Sequence, residues 1–388
     1  MEFSDDTGHA PIRAAIREIC ARFGDEYWAE ADATHTFPWA FYDALAEAGW
    51  IGVAIPADYG GGGAGITEAS IVLEEVAASG ACMNGASAIH LSIFGMHPVV
   101  RHGSEDLKRR YLPPVASGKL HVAFGVTEPD AGTDTTAIST LAVRDGDGYR
   151  ITGRKVWTSK ALESDRVLLL TRTTPAGQCA RRTDGLTLFV ANLRDPAVGI
   201  RPIPKLGRNA VASCEVSYDG LYVDAADRVG DEGSGFRYLL DGLNAERVLI
   251  AAEALGVGKA ALRRAVSYAG NRVVFGRPIG ANQAISFPLA EAHARLAAAE
   301  LAIRQAAWRI DNDEPCGEQA NVAKFLAADA AFAAADAAVQ THGGFGYATE
   351  YHVERYWREA RLMRIAPVTQ EMVLSYLAEH VLGLPRSY

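Results

Sequence analysis

Apolar residues at the start of the chain recur with a helical period. After Pro11, isoleucines at positions 12, 16 and 19 are separated by charged and small residues. This spacing places the apolar side chains on one face of a helix. Similar patterns continue to about residue 119, so this first part of the chain is predicted to be mostly helical.

The pattern changes between residues 120 and 228. Short runs rich in β-branched and aromatic residues are separated there by turn signals such as Asp184-Gly185. No helical stretch lies between the runs, which favours an antiparallel barrel or sandwich over βαβ units. The region also lacks a GxGxxG motif, which disfavours a Rossmann domain. The predicted strands are Val122–Val126, Thr140–Val143, Tyr149–Thr152, Val167–Thr171, Leu186–Ala191 and Val216–Val223.

Helical periods return after residue 229. The stretch 320–338 holds eleven alanines in nineteen residues, which predicts a helix packed tightly against other helices. Phe325, Leu326 and Phe332 are its expected apolar anchors.

The order of these regions predicts an α+β fold class with three domains. Residues 1–119 would form an N-terminal helical domain, and residues 120–228 a central antiparallel β-barrel or sandwich. Residues 229–388 would form a C-terminal four-helix bundle.

Composition narrows the possible functions. The chain has 388 residues, 49% of them hydrophobic and 22% charged, which is ordinary for a soluble globular protein. Its net charge of −9 argues against binding to nucleic acid or to an anionic membrane surface. The apolar stretches are too short to insert in a membrane. Five scattered cysteines without a CxxC pair fit reduced thiols in a cytoplasmic protein and predict no metal site.

Four segments have residue types suited to a planar or phosphorylated ligand. They offer glycines whose backbone a ligand can approach, short hydroxyl donors, a Trp that can stack on a ring, or an Arg that can bind phosphate. Each also has a plain alternative: a turn, a core Trp, a solvated Arg or a glycine helix stop. The segments are Val126–Asp134, Gly153–Ser159, Arg272–Pro278 with Asn282 and Gln283, and Gln340–Tyr347.

Glu246 is a fifth candidate. If residues 236–262 form one helix, apolar residues lie along the same face as Glu246. They stand seven and three positions before Glu246 and three and four positions after it. Burial there makes a carboxylate more basic, as a general base requires. Glu253 lies on the same stripe, so spacing alone does not choose between the two. A buried Glu paired with an Arg is the structural alternative.

Taken together, these motifs resemble the acyl-CoA dehydrogenase family over essentially the whole chain. The resemblance implies bound FAD, an acyl-CoA substrate, and removal of its α and β hydrogens to give a trans-2-enoyl thioester. It rests on Phe124–Asp134, Lys155–Ser159, Arg272-x-x-Phe-Gly with Gln283, Gln340-x-x-Gly-Gly-x-Gly, Arg358-Glu-Ala-Arg361, Leu45–Gly52 and Gly103-Ser-Glu.

The resemblance also assigns residues to the cofactor. Those expected around the flavin ring are Val126, Thr127, Trp157 and Ser159, with Phe124, Thr158, Thr369 and Glu371 as further FAD contacts. Gly132 and Thr133 are expected near the pyrophosphate, and Thr133 also near the substrate. The residues implied to reach the FAD of a neighbouring subunit are Arg272, Phe275, Gln283, Gln340, Gly343 and Gly344. A homotetramer or homodimer follows, with an electron-transfer flavoprotein as electron acceptor.

One departure from the family pattern concerns the catalytic base. The common family Glu lies in a C-terminal phrase, where this chain has Pro367. Isovaleryl- and long-chain-type members instead carry the Glu on an earlier helix, immediately before an Arg. The resemblance therefore selects Glu246 as the α-proton base, with hydride passing to flavin N5. Asn244 and Arg247 are expected to contact the substrate, or Arg247 to form an ion pair.

The departure also affects the substrate carbonyl. In the family, a flavin ribityl hydroxyl and a backbone N–H at the usual Glu position stabilise the developing enolate. Pro367 has no N–H. Either a neighbour such as the Val368 N–H serves instead, or this oxyanion site is weaker.

Three other interpretations remain open at this point. The chain could be a related flavoenzyme, such as an acyl-carrier-protein dehydrogenase, an oxidase or a monooxygenase. It could be a catalytically silent homologue that binds FAD or acyl-CoA, or a purely structural helical protein.

Overall fold

Seven helices form the first part of the computed structural model, which describes residues 8–386. Each of the predicted amphipathic patterns near the N-terminus corresponds to one of them. They are α1 Ala10–Cys20, α2 Asp25–Thr34, α3 Trp39–Glu47, α4 Ile66–Val76, α5 Cys82–Phe94, α6 His97–His102 and α7 Glu105–Ala116.

A sharp bend joins α4 to α5. Gly80 has φ 109° and Cys82 has φ 49°, so a π-helical turn over Ala77–Ala81 redirects the chain. Gly80 is suited to this position because it lacks the Cβ that disfavours positive φ. The bend places α5 beside the long C-terminal helix described below.

An eight-stranded sheet follows. Its strands are β1 Val122–Gly125, β2 Leu141–Asp145, β3 Gly148–Ser159, β4 Arg166–Arg172, β5 Leu186–Asn192, β6 Val198–Pro202, β7 Ser213–Asp224 and β8 Arg228–Val229. The order is β6-β7-β3-β2-β4-β5-β8, with β1 paired to β4. All six predicted strands are present, whereas β6 and β8 were missed.

Strand direction differs from the expectation in one part of the sheet. Most neighbours are antiparallel, but β1 pairs with β4 in parallel, and β2 meets β4 in parallel at a single residue pair. Alternation of side chains is the same in both directions, so the apolar pattern carries no information on strand direction. Leu168 and Leu170 of β4 face one core, while Val167 and Leu169 face the other.

Five further helices and a small hairpin complete the chain. They are α8 Gly235–Asn271, the strands β9 Val273–Val274 and β10 Arg277–Pro278, α9 Gln283–Asp311, α10 Gly317–His342, α11 Val353–Leu362 and α12 Gln370–Tyr376. The bundle is built from α8, α9 and α10, with the short α11 and α12 packed on α10. The helical, β and helical order predicted from the pattern is confirmed.

The alanine-rich helix α10 packs tightly against α8 and α9, as predicted, but its expected apolar anchors are not fully buried. Leu326 is exposed, and Phe325 and Phe332 are only partly buried. Most of the buried residues of α10 are alanines, whose small side chains allow helix axes to approach closely, and Lys324 is buried with them.

Close approach also fixes α8 against α4. A Cβ added at Gly256 would lie only 2.4 Å from the carbonyl oxygen of Glu74. Among the described residues, no helix combines the length and apolar content needed to cross a bilayer.

Candidate active site

Glu246 lies on α8 and contacts a histidine of α5. Glu246 Oε2 lies 3.0 Å from Nε2 of His90, and Glu253 Oε1 lies 2.7 Å from Nδ1 of the same ring. His90 and Glu253 are buried, while the Glu246 side chain keeps 24% of its surface exposed. The two carboxylates therefore bracket one imidazole, and only Glu246 is open to a ligand.

This arrangement changes the sequence-based picture of Glu246. The predicted apolar stripe on α8 faces the polar ring of His90 at this point. Among residues 8–386, neither carboxylate hydrogen-bonds to an Arg. Glu253 is the completely buried carboxylate of the pair. Exposure, which spacing does not reveal, separates the residue that a substrate can reach from the one that it cannot.

The backbone of α8 is closely packed against neighbouring rings at Gly242, one helical turn before Glu246. A Cβ at Gly242 would lie 3.1 Å from Cδ2 of His97 and 3.6 Å from the Phe94 ring. The His97 and Phe94 rings stack at 4.7 Å. Burial lowers the pKa of His97 to about 4, so this ring is neutral near pH 7.

The predicted substrate residues Asn244 and Arg247 contact each other. Arg247 Nη1 donates to Asn244 Oδ1 at 3.0 Å, and its Nε is buried without a protein acceptor. Burial lowers the pKa of the Arg247 guanidinium, and within the described chain no carboxylate forms an ion pair with it. In the described chain Arg247 is thus paired with Asn244 and not with a carboxylate, and its contact with the substrate stays a prediction.

Helix α5 also connects Glu246 to the end of β3. Arg208 Nη2 donates to Ser159 Oγ at 2.9 Å, and Nη1 donates to Ser87 Oγ of α5 at 3.4 Å. Ser87 lies one turn before His90. Lys160 Nζ adds a second link by donating to the Ala88 carbonyl at 3.2 Å. Through α5, the structure brings the predicted flavin residue Ser159 and the predicted base into one region.

The turn after β1 is held by a buried ion pair. Lys155 Nζ donates to Glu128 Oε1 at 2.9 Å and to the Val126 carbonyl at 2.9 Å. Burial alone would raise the pKa of Glu128, but Lys155 and the donors of Ser139 and Thr140 lower it to about 2. Glu128 and Lys155 therefore have a structural role that shapes this turn.

A second backbone irregularity exposes Trp157. Between Lys155 and Thr158 the pairing of β3 with β7 shifts register, and Trp157 adopts φ 59°. Its side chain is 56% exposed, whereas Thr158 is buried and its Oγ1 lacks a partner in the described part of the chain. A non-glycine residue at positive φ indicates a local constraint of the kind found at binding sites. The core alternative for this Trp is wrong.

The predicted phosphate turn offers free donors. Gly132 and Thr133 are exposed, and neither backbone N–H donates a hydrogen bond to protein within the described chain. Thr127 already has a protein partner, because its carbonyl accepts a hydrogen bond from the Val156 N–H at 2.9 Å. Phe124 is partly buried against the core. Unengaged N–H groups at a turn are suited to an anion.

The third and fourth motifs lie on the surface of the C-terminal bundle. Arg272 lies over the Phe345 ring at 5.9 Å, which brings these two predicted motifs together. Phe275 is fully exposed at φ 52° in the hairpin turn. The remaining predicted residues of this group are also exposed, namely Gln283 at the start of α9, Gln340 near the end of α10, Gly343 and Gly344. No hydrogen bond or ring contact within residues 8–386 joins this group to Trp157.

The loop between α11 and α12 contains Pro367. Pro367 is exposed, and the Val368 N–H donates no hydrogen bond in the part of the chain that the structure describes. Thr369 caps α12 by accepting from the Met372 N–H at 3.3 Å. Glu371 is exposed in the first turn of α12, where a hydrogen bond from its own backbone N–H lowers the pKa of its carboxyl.

His90 and Arg208 were missed in the sequence. The available signal for His90 was one ionisable residue inside the otherwise uncharged and mostly apolar stretch Ala86–Phe94. Arg208 carries no comparable signal, because its three serine partners lie on three different elements.

Family models cover most of the chain. The acyl-CoA dehydrogenase N-terminal domain matches residues 7–119, the middle domain residues 123–221, and the C-terminal domain residues 233–382.

Similar proteins are matched over their full length. Acyl-CoA dehydrogenase FadE12 of Mycobacterium tuberculosis is 38% identical over 391 residues, covering 100% of this chain and 99% of that protein. Butyryl-CoA dehydrogenase of Megasphaera elsdenii is 28% identical with a TM-score of 0.91, covering 98% and 100% of the two chains. A chain from a structural study of the electron transferring flavoprotein of Acidaminococcus fermentans is 30% identical with a TM-score of 0.93, covering 98% and 100%.

Proposed function

The chain belongs to the acyl-CoA dehydrogenase family and is an enzyme of that family, and from that premise we propose an FAD-dependent α,β-dehydrogenation of a fatty or branched acyl-CoA. The product would be the trans-2-enoyl-CoA. The observation that carries the proposal is the reachable carboxylate of Glu246. It is held by His90 of α5, and Arg208 links the same helix to Ser159 at the end of β3.

The residues of the β-domain fit a flavin. Trp157 presents an exposed ring. Within the described residues, the buried Thr158 Oγ1 has no protein partner and the N–H groups of Gly132 and Thr133 donate no hydrogen bond. Trp157 and Thr158 would hold the flavin ring. The N–H groups of Gly132 and Thr133 would hold the pyrophosphate of FAD. When bound, FAD would supply the acceptor at flavin N5 for the hydride that leaves the substrate β-carbon.

Glu246 is the proposed base, as in isovaleryl- and long-chain-type members. Its outer oxygen would take the α-proton of the thioester, while its other oxygen stays bonded to His90. A thioester α C–H is weakly acidic, so the carbonyl oxygen needs a hydrogen-bond donor as negative charge develops. The unengaged Val368 N–H is the donor we assign, in place of the N–H that Pro367 lacks.

Arg247 is proposed to bind the substrate beside this base. Its buried Nε lacks an acceptor, and a guanidinium edge suits a carbonyl or phosphate oxygen of the acyl-CoA. Asn244 would orient the guanidinium from its other side.

Assembly and electron transfer complete the proposal. The hairpin segment with Arg272 and Phe275 is exposed on the bundle surface and is strained at Phe275. This exposure supports a role at the FAD of a neighbouring subunit in a homotetramer or homodimer. An electron-transfer flavoprotein is the proposed acceptor of the electrons.

The deciding experiment is anaerobic titration of the flavin-loaded protein with straight, branched and substituted acyl-CoAs. Loss of the oxidised flavin absorbance with at least one thioester, accompanied by the enoyl product, is expected. Absence of bleaching with every thioester would contradict the proposal. Peroxide formation in air or bleaching only by an acyl carrier protein would instead identify a related flavoenzyme.

A further inference from the structure

The imidazole of His90 joins two carboxylates that lie two turns apart on α8. Glu246 and Glu253 are separated by roughly 10 Å along the helix axis, since each residue rises about 1.5 Å. Only a group between the two turns can contact both, and His90 does so at 3.0 and 2.7 Å. The line of three side chains runs from the buried Glu253 to the accessible Glu246.

The two hydrogen bonds link the protonation state of His90 to those of Glu246 and Glu253. A carboxylate only accepts, so each ring nitrogen that faces an ionised carboxylate must carry a proton. With both carboxylates ionised, His90 is an imidazolium and the three side chains carry a net charge of −1. When Glu246 takes a proton, the net charge becomes zero, so the reaction removes charge from a buried cluster instead of adding it.

The environment of His90 favours the charged ring. Burial alone would lower the pKa of His90, but the nearby charges of Glu246 and Glu253 outweigh it and hold that pKa well above its usual value. The neighbouring His97 faces Glu246 but is neutral near pH 7. From the β-domain side, the positive charge of Arg208 faces Glu253.

Asp241 is the other carboxylate near this end of α8. It pairs with His102 at 2.7 Å and interacts with His97 from outside the cluster. Asp241 of α8 and His102 of α6 form a more exposed His–carboxylate pair, which supplies a natural control.

We propose that His90 is a positioning residue for the dehydrogenation: as an imidazolium anchored by Glu253, it orients Glu246 and keeps it ionised for proton abstraction. This inference rests on the proposed function, because it concerns the base of that reaction. The α C–H electron pair stays with the substrate and the proton goes to the outer oxygen of Glu246. His90 itself touches neither the substrate nor the cofactor.

Two substitutions should shift opposite sides of the pH profile of flavin reduction. His90→Gln keeps hydrogen-bonding groups but loses the positive charge beside Glu246. We expect the acid side of kcat/KM to move up by about one pH unit, and the rate at pH 7 to fall about 10- to 100-fold. Glu253→Gln weakens the hold on the imidazolium, so the alkaline side should move to lower pH.

Stability provides a second readout. A group whose pKa is raised on folding stabilises the protein below its unfolded pKa, and this contribution is lost as the pH rises through the folded value. The difference in Tm between the wild type and His90→Gln should therefore be larger at pH 6 than at alkaline pH.

The measurements use the FAD-loaded full chain, with His102→Gln as the matched control. That variant also removes a histidine paired with an α8 carboxylate, and its pH profile should match the wild type. Wild-type profiles for both His90→Gln and Glu253→Gln would overturn the inference while leaving the dehydrogenase function intact. If His90→Gln does not fold, Glu253→Gln decides alone. A wild type that no acyl-CoA reduces would contradict the function itself.

Discussion

Two parts of the C-terminal domain occupy positions where related enzymes carry a catalytic carboxylate, and they are built in opposite ways. On α8, Glu246 is fixed by a buried histidine and lies within a packed helix. In the loop after α11, Pro367 is exposed and the neighbouring Val368 N–H has no partner among residues 8–386. The base and the proposed oxyanion donor are therefore on separate elements, so substitutions can affect one without the other.

The largest effect is expected from Glu246→Gln. It removes the proposed base with little change in size, so flavin reduction by substrate should fall by about 10³-fold or more, while FAD remains bound. Stopped-flow absorbance of the flavin measures this directly. Asp241→Asn, a substitution on the same helix, is the control and should react normally. Retained bleaching in Glu246→Gln would show that the base lies elsewhere.

A double variant tests whether the loop can replace the helix. In Glu246→Gln with Pro367→Glu, a carboxylate is present again but lacks the contact with His90. We expect flavin reduction to stay at least about 10²-fold below the wild type, because a poorly oriented base loses most of its effect. Recovery to the wild-type rate would remove the distinction between the two positions.

Arg247→Lys should have a smaller effect. The charge is kept, but the planar guanidinium edge beside the base is lost. A hydrogen bond to a charged group contributes about 1.5–3 kcal/mol, so kcat/KM should fall about 10- to 100-fold without loss of FAD. Steady-state kinetics with the best acyl-CoA would measure it, and an unchanged kcat/KM would exclude Arg247 from the substrate site.

Pro367→Ala is expected to have the smallest effect. It restores a backbone N–H at position 367, but the Val368 N–H is proposed to serve already. The rate of flavin reduction should therefore change by less than about threefold. Gain or loss of an oxyanion donor on which the reaction depends would change the rate far more. A tenfold increase would mean that the proline limits the oxyanion site.

The sequence predicted elements better than contacts. The helix around Glu246, the alanine-rich α10 and the main strands all follow from local periodicity. The parallel pairing of β1 with β4 does not, because alternation is independent of direction. Spacing correctly placed Glu246 and Glu253 on one face of a helix, but it could not show which residue lies opposite them.

The site residues also divide into those that sequence motifs predicted and those that only the packing of the chain reveals. The exposed Trp157 and the free N–H groups of Gly132 and Thr133 agree with ligand-binding motifs recognised in the sequence. His90 could not be assigned in advance, because its two partners lie far along the chain and meet it only through helix packing.

The missing side chain at Gly256 limits how this protein can be redesigned. The backbones of α4 and α8 approach so closely there that a Cβ at position 256 would lie 2.4 Å from the carbonyl oxygen of Glu74. Replacing this glycine would push α8 outward and would move Glu246 relative to everything bound beside it. A protein engineer who wants to admit bulkier substrates should therefore leave position 256 untouched and vary other faces of α8.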